Sequence, residues 1–169
     1  MKRKIVWFTG LSGSGKTTLS TYISKYLRKK KFKVRLLDGD KFRKKNNFKK
    51  YTKKEIIKNN LRIINYIDSL ITKDDYILVS VISPLEKTRN YAYNKFKPNY
   101  FEIHTKCNIK ELVKRDTKKL YYKAKKKIIK NLIGFNSKIK YERSKHKKIT
   151  VNTEKFDIKE CAEYILKKI

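Results

Sequence analysis

The sequence predicts an α/β fold in which a parallel sheet of about five strands carries helices on both faces. Three observations lead to it. Short β-prone apolar runs alternate with segments whose apolar residues recur at helical spacing, the pattern of successive βα units. The run 76–82, Tyr-Ile-Leu-Val-Ser-Val-Ile, is almost continuously apolar, as a parallel strand buried on both faces must be. Between the first strand and the first helix lies Gly10-Leu11-Ser12-Gly13-Ser14-Gly15-Lys16-Thr17, which matches G-x-x-x-x-G-K-[ST] at every fixed position.

The elements follow in order. Residues 4–9, Lys-Ile-Val-Trp-Phe-Thr, form the first strand. After the glycine loop, Leu19, Tyr22, Ile23, Tyr26 and Leu27 share one face of a helix. The second strand spans 32–37 and ends in Asp38-Gly39-Asp40, where Asp-Gly is also a common turn. A polar stretch then leads into a helix with Ile56, Ile57, Asn60, Leu61, Ile64 and Ile67 largely on one side. Beyond the central strand, Ser83-Pro84-Leu85-Glu86 reads as an N-cap, a proline at the first helical position and a capping-box glutamate. Residues 100–104 make a fourth strand, and Asn108 with Glu111 opens a short helix. The last strand is 148–151, and Asp157 with Glu160 caps a final helix carrying Ile158, Cys161, Ala162, Ile165 and Leu166. Neither an internal repeat nor a linker interrupts this order, so residues 1–169 read as a single domain. In such folds ligands bind at the C-terminal ends of the strands.

A chain of 169 residues builds a core without disulfides or metals. Cys107 and Cys161 are far apart and fit no metal-ligand spacing, so they read as reduced thiols. With no apolar run of membrane-span length and no signal-peptide core, a cytoplasmic protein is expected. The net charge is +32, from 47 Lys and Arg against 15 Asp and Glu. Lysine is spread along the whole chain amid many Asn, Ile and Tyr, without an arginine-rich tail or a glycine-aromatic RNA-binding signature. That reads as compositional bias at tolerant surface positions, with attraction of anionic substrates as its by-product. No specific nucleic acid or membrane partner is expected. A nucleic-acid-stimulated ATPase is the reading from a different class, and it requires stimulation by DNA or RNA at physiological salt.

Each fixed position of the glycine loop has its own task. The glycines allow successive N–H groups to point inward at phosphate oxygens. Lys16 supplies a point charge for the β- and γ-phosphates, and the Thr17 hydroxyl can ligate Mg²⁺. The following helix turns its positive end to the same anion. This chain therefore reads as a nucleotide-binding protein. A carboxylate at the end of the second strand faces the γ-phosphate and can orient Mg²⁺ or accept a hydroxyl proton, and Arg43, three residues after Asp40, favours a second anionic ligand. No Asn-Lys-x-Asp guanine-reading motif is present. The segment 116–140 is lysine-rich with Asp116 as its one acidic residue, and reads as a basic lid that closes over phosphates.

With these residues in place the chain resembles the adenylylsulfate kinases, P-loop kinases that phosphorylate the 3′-hydroxyl of adenosine 5′-phosphosulfate with MgATP. The resemblance runs over nearly the whole length: the loop through Thr18, Leu37-Asp38-Gly39-Asp40 with Arg43, Asn59 with Arg62, and Ser80-Val81-Ile82-Ser83-Pro84 with Arg89. It continues in Arg115-Asp116, Lys119-Leu120-Tyr121, Lys123-Ala124, Ile129-Lys130-Asn131, Gly134, Tyr141-Glu142 and Asn152-Thr153. It implies ATP and Mg²⁺ as cofactors and a homodimer. ATP would be held by Gly10, Ser12, Gly13, Ser14, Gly15, Lys16, Thr17 and Thr18, with Arg115 and Thr153 flanking the base. Lys16 and Asp40 would be catalytic, and Thr17 and Asp40 would serve the metal. Asp40, Arg43, Asn59, Ile82 and Ser83 would face the acceptor nucleotide, with Lys119 and Lys130 acting from the lid. The Ser83 counterpart carries phosphate in some members, although here a helix N-cap is an adequate role for it.

The departures from the family lie on the acceptor side. Glu55-Ile56 stands where the family has an Asp-Arg pair, and the phenylalanines that sandwich the acceptor adenine correspond to Tyr51 and Leu132. Losing one aromatic face removes about 0.5–1.5 kcal/mol of stacking beyond burial. Losing a charge-assisted contact removes about 1.5–3 kcal/mol. Drift compensated by neighbouring lysines is one explanation. Another is a different nucleotide-activated anion as acceptor, such as cytidine diphosphoramidate, whose pyrimidine needs less aromatic surface.

Overall fold

The computed structural model describes residues 3–46, 52–70 and 74–169. Its strands are β1 (Lys4–Thr9), β2 (Val34–Asp38), β3 (Tyr76–Ser80), β4 (Tyr100–Lys106) and β5 (Ile149–Asn152). They form one parallel sheet in the order β2-β3-β1-β4-β5. The helices are α1 (Lys16–Lys29), α2 (Gly39–Lys45), α3 (Lys53–Ser69), α4 (Glu86–Phe96), α5 (Ile109–Arg115), α6 (Leu120–Lys125) and α7 (Ile158–Leu166). The five-stranded α/β fold predicted from the sequence is the one observed.

Side-chain alternation along the central strands explains the layers. Val6 and Phe8 of β1 join Leu78 of β3 in a core with Leu19, Ile23 and Leu27 of α1 and Cys161, Ala162 and Ile165 of α7. On the opposite face Ile5 and Trp7 pack with Ile77, Val79 and the Ile63, Ile64 and Ile67 side chains of α3, and with Ala92 of α4. The register pairs Ile5 with Ile77 and Val6 with Leu78, so each face stays apolar across the strand pair. Both cysteines are free. No helix among the described residues is long and apolar enough to cross a membrane.

Several local expectations need correction. Tyr22 and Tyr26 are 39% and 44% exposed; the buried stripe of α1 instead includes Ser20 and Ser24 beside Leu19, Ile23 and Leu27, because small side chains let the helix lie close to the sheet. The expected polar stretch and turn after β2 is helix α2, started by Asp38, whose side chain accepts from the Asp40 and Lys41 N–H groups. Its polar surface gave no periodic signal. Ile158 is exposed at the start of α7, while the Asp157–Glu160 capping box forms as expected. Asn108 likewise caps α5 through the Glu111 N–H.

Ser83 is not a helix cap. It is 1% exposed with φ +43°, and α4 begins only at Glu86. The Glu86 N–H is met by the Glu142 carboxylate at 2.7 Å. A side chain 56 residues away does what the local motif suggested Ser83 would do.

Gly10 is required by packing. A Cβ there would lie 2.5 Å from Thr105 Oγ1 and 2.6 Å from the Thr105 carbonyl oxygen, at a φ of +142°. Gly10→Ala is expected to cost about 2 kcal/mol or more in urea-induced unfolding, the sum of overpacking and backbone strain.

Candidate active site

The glycine loop joins the end of β1 to α1, beside the place where the strand order reverses, and three elements hold it. From β4, Thr105 donates to the Thr9 carbonyl at 3.1 Å and accepts from the Ser14 hydroxyl at 2.6 Å. From the turn after β5, Thr153 donates to the Ser14 carbonyl at 3.1 Å. From α6, the buried Tyr121 hydroxyl donates to the Ser12 carbonyl at 2.9 Å. Gly13 and Gly15 take φ of +78° and +87°. These contacts constrain the loop from three sides, which reduces the conformational entropy lost on binding.

Lys16 opens α1 with its side chain buried, and its ammonium donates to the Leu11 carbonyl at 2.6 Å. Burial lowers its pKa to about 8; Asp40 and Asp38 oppose this and Lys118 reinforces it. Thr17 donates to Asp38 Oδ2 at 3.0 Å. Across the opening, Lys118 pairs with Asp40 at 2.5 Å. Arg115 donates to the Thr153 carbonyl at 2.6 Å and to Glu111 at 3.0 Å.

A cavity of about 1020 Å³ collects these groups. Of the residues expected to hold ATP, Ser12, Gly13, Gly15, Lys16, Thr17, Thr18, Arg115 and Thr153 line it. Gly10 and Ser14 stand behind the wall, engaged with Ile82 and Thr105. Of the acceptor candidates, Asp40, Arg43, Ile56, Asn59, Ile82, Ser83 and Leu132 line it. Asn59 is 5% exposed, and its Oδ1 meets no donor among the described residues. Tyr51 lies outside the described residues. The apolar walls beside these acceptor candidates are Ile56, Ile82, Ile129, Leu132 and Ile133, and the one aromatic ring among the described lining residues is Phe156, next to Thr153 and Glu154.

Lys119 and Lys130 do not line the cavity; both are exposed, and Lys118 lines it instead. Lys119 takes φ +52° as it leads into α6, and its neighbour Lys118 reaches Asp40. Two other contributors were given no role of their own from the sequence. Asp38 touches Thr17, and Tyr121 supports the loop. The Asp-Gly-Asp signal contained Asp38, but spacing alone does not say which of two carboxylates faces the threonine. Nothing local to Tyr121 reveals its supporting role, because its partner Ser12 is 109 residues away.

The donor set suits a Mg²⁺ ion only in part. No group of three or more His, Cys, Asp or Glu side chains among the described residues could hold a metal. One hydroxyl and one or two carboxylates, completed by phosphate oxygens and water, is nevertheless the sparse protein ligation that Mg²⁺ accepts.

The family model for adenylylsulphate kinase matches residues 2–152. A probable adenylyl-sulfate kinase of Pyrococcus abyssi is 34% identical over 164 residues, covering 96% of this chain and 92% of that protein. The cytidine diphosphoramidate kinase of Campylobacter jejuni is 32% identical over 165 residues, covering 98% and 95%. Among solved structures, the APS kinase of Mycobacterium tuberculosis in complex with AMPPNP and APS superposes with a TM-score of 0.88 at 28% identity, covering 98% of this chain and 96% of that one. With the family model matching most of the chain and relatives above 30% identity over nearly all of it, this chain belongs to the adenylylsulphate kinase family of ATP-dependent phosphotransferases with an alcohol acceptor.

Proposed function

We propose that the protein transfers the γ-phosphate of ATP to the 3′-hydroxyl of adenosine 5′-phosphosulfate. The observation that carries this reading is the single cavity in which the glycine loop, Asp40, Arg43 and Asn59 meet. ATP phosphates lie along the loop N–H groups and the α1 N-terminus, where Lys16 leaves the Leu11 carbonyl to meet them. The acceptor hydroxyl sits near Asp40. Its oxygen forms a bond to the γ-phosphorus, the bond from that phosphorus to the β-bridging oxygen breaks, and the hydroxyl proton passes to the Asp40 carboxylate. Thr17, Asp38 and Asp40 would hold Mg²⁺, which would supply positive charge to offset that of the transferring phosphate. Lys118 exchanges Asp40 for phosphate as residues 116–140 close as a lid over the site. The rate comes from positioning and charge, without a covalent protein intermediate.

A second reading has its own support. The Ile56 and Leu132 side chains, 5% and 7% exposed, give the acceptor side an aliphatic wall where the family pattern has Arg and Phe. The similarity to a cytidine diphosphoramidate kinase makes that nucleotide the competing acceptor. An ADP-release assay with adenosine 5′-phosphosulfate, cytidine diphosphoramidate and simple nucleosides separates the readings, and inertness of all of them removes the proposal. The double variant Ile56→Arg, Leu132→Phe is expected to raise kcat/KM for adenosine 5′-phosphosulfate by about tenfold or more. No gain, with good turnover of the cytidine nucleotide, transfers the assignment to the latter.

A further inference from the structure

Behind the acceptor side of the cavity lies a buried polar cluster that the phosphoryl-transfer chemistry does not use. At its centre is Arg89 of α4, which is 0% exposed. Its Nη1 donates to the Ser83 carbonyl at 2.5 Å and its Nη2 to the Glu142 carbonyl at 2.5 Å. Its Nε donates to Ser144 Oγ at 3.0 Å, and Ser144 in turn donates to the buried Glu102 carboxylate. Glu102 Oε1 stands 3.4 Å from the guanidinium, so the charge is balanced inside the core. The Tyr141 ring covers the guanidinium face at 5.0 Å.

These contacts are part of a longer seam. Tyr141 donates to the Thr9 hydroxyl at 2.8 Å, and Thr9 donates to the Ile82 carbonyl at 2.6 Å. The Glu142 N–H donates to the Pro84 carbonyl at 2.8 Å, and its carboxylate accepts the Glu86 N–H. Residues 82–86, three of which line the acceptor side of the cavity, are thus bonded repeatedly to residues 141–144, where the chain leaves the lysine-rich segment.

We propose that Arg89 is a positioning residue for the acceptor: its guanidinium ties residues 82–84 to residues 141–144, so that the acceptor wall and the root of the lid move as one body. This rests on the kinase reading given above. Ser83 holds a left-handed φ, which costs energy in a residue other than glycine. That conformation persists because its carbonyl is turned inward to Arg89. Arginine suits the role because its planar fork spans two carbonyls and a hydroxyl at fixed angles, and a lysine ammonium cannot reproduce that fork.

The test uses Arg89→Lys, which keeps the charge opposite Glu102 and loses the fork. The acceptor KM is expected to rise about tenfold while the ATP KM stays within about twofold. In hydrogen exchange, peptides covering 82–86 and 141–144 are expected to exchange faster together. A merely structural role predicts equal changes in both KM values, or a lowered melting temperature with neither changed, and either result overturns the proposal. Faster exchange in one segment alone overturns it as well. Should Arg89→Lys fail to fold, Ser144→Ala loosens the same fork at Nε and must move the same readouts in the same directions, by about threefold in acceptor KM. If the wild-type protein phosphorylates neither nucleotide, the proposed function falls, while joint exchange of the two segments still decides the clamp.

Discussion

Lys16→Met is expected to lower kcat/KM by about 10³-fold or more and, at the same time, to raise the melting temperature of the nucleotide-free protein. The first effect follows from losing the point charge proposed to meet the β- and γ-phosphates. The second follows from burial. Lys16 is buried and its pKa is lowered to about 8 from 10.5, so the folded chain carries an ammonium it disfavours. That cost is present in full below pH 8 and is relieved as pH rises from 8 toward 10.5, because there the unfolded chain binds the proton and the folded chain does not. Its upper bound is about 3 kcal/mol. Phosphate binding restores the ammonium, so ATP binding at pH 8–9 takes up a proton and weakens as pH rises. Titration calorimetry in buffers of different ionisation heat reads this uptake directly. A Lys16→Met protein that binds ATP with unchanged proton uptake, or that melts lower than wild type, contradicts the account.

Asp40→Asn is expected to reduce kcat by about 10²–10⁴-fold with the ATP KM nearly unchanged. The amide keeps the shape of the side chain but cannot take the hydroxyl proton or offer an anionic ligand. Stability should hold to within about 1 kcal/mol, because the ion pair with Lys118 joins side chains that are 66% and 52% exposed. Asp38→Ala is the informative contrast. It removes the cap of α2, at a cost of about 0.5–2 kcal/mol, together with the Thr17 contact, so both melting temperature and rate should fall. Steady-state kinetics paired with thermal melts distinguish the two carboxylates. Equal losses of rate and stability in both variants would assign Asp40 a structural part.

The order of strands and long helices was legible because each buries an apolar face with a clear period, as in β1, β3 and α3. The phosphate loop was legible because its chemistry is local: eight consecutive residues carry the turn, the charge and the hydroxyl. What escaped was short, polar or distant. Helix α2 has seven residues and no apolar stripe. Ser83 resembled a cap because its neighbours fit a capping pattern, yet the true partner of the Glu86 N–H is Glu142. Lys118 replaces Lys119 at the cavity because the backbone turn before α6 aims one lysine inward and its neighbour outward, which adjacent lysines in a sequence do not reveal.

By itself the sequence determined the α/β class, the glycine loop and the family, since these rest on periodicity and on contiguous motifs. Only the tertiary structure decided that Asp38 faces Thr17, that Lys118 spans the opening to Asp40, and that Arg89 joins Ser83 to Glu142 and Ser144. The Thr17–Asp38, Asp40–Lys118 and Arg89–Glu142 contacts link residues 21, 78 and 53 positions apart, so they exist only once the strands have paired and brought their C-terminal ends around one cavity.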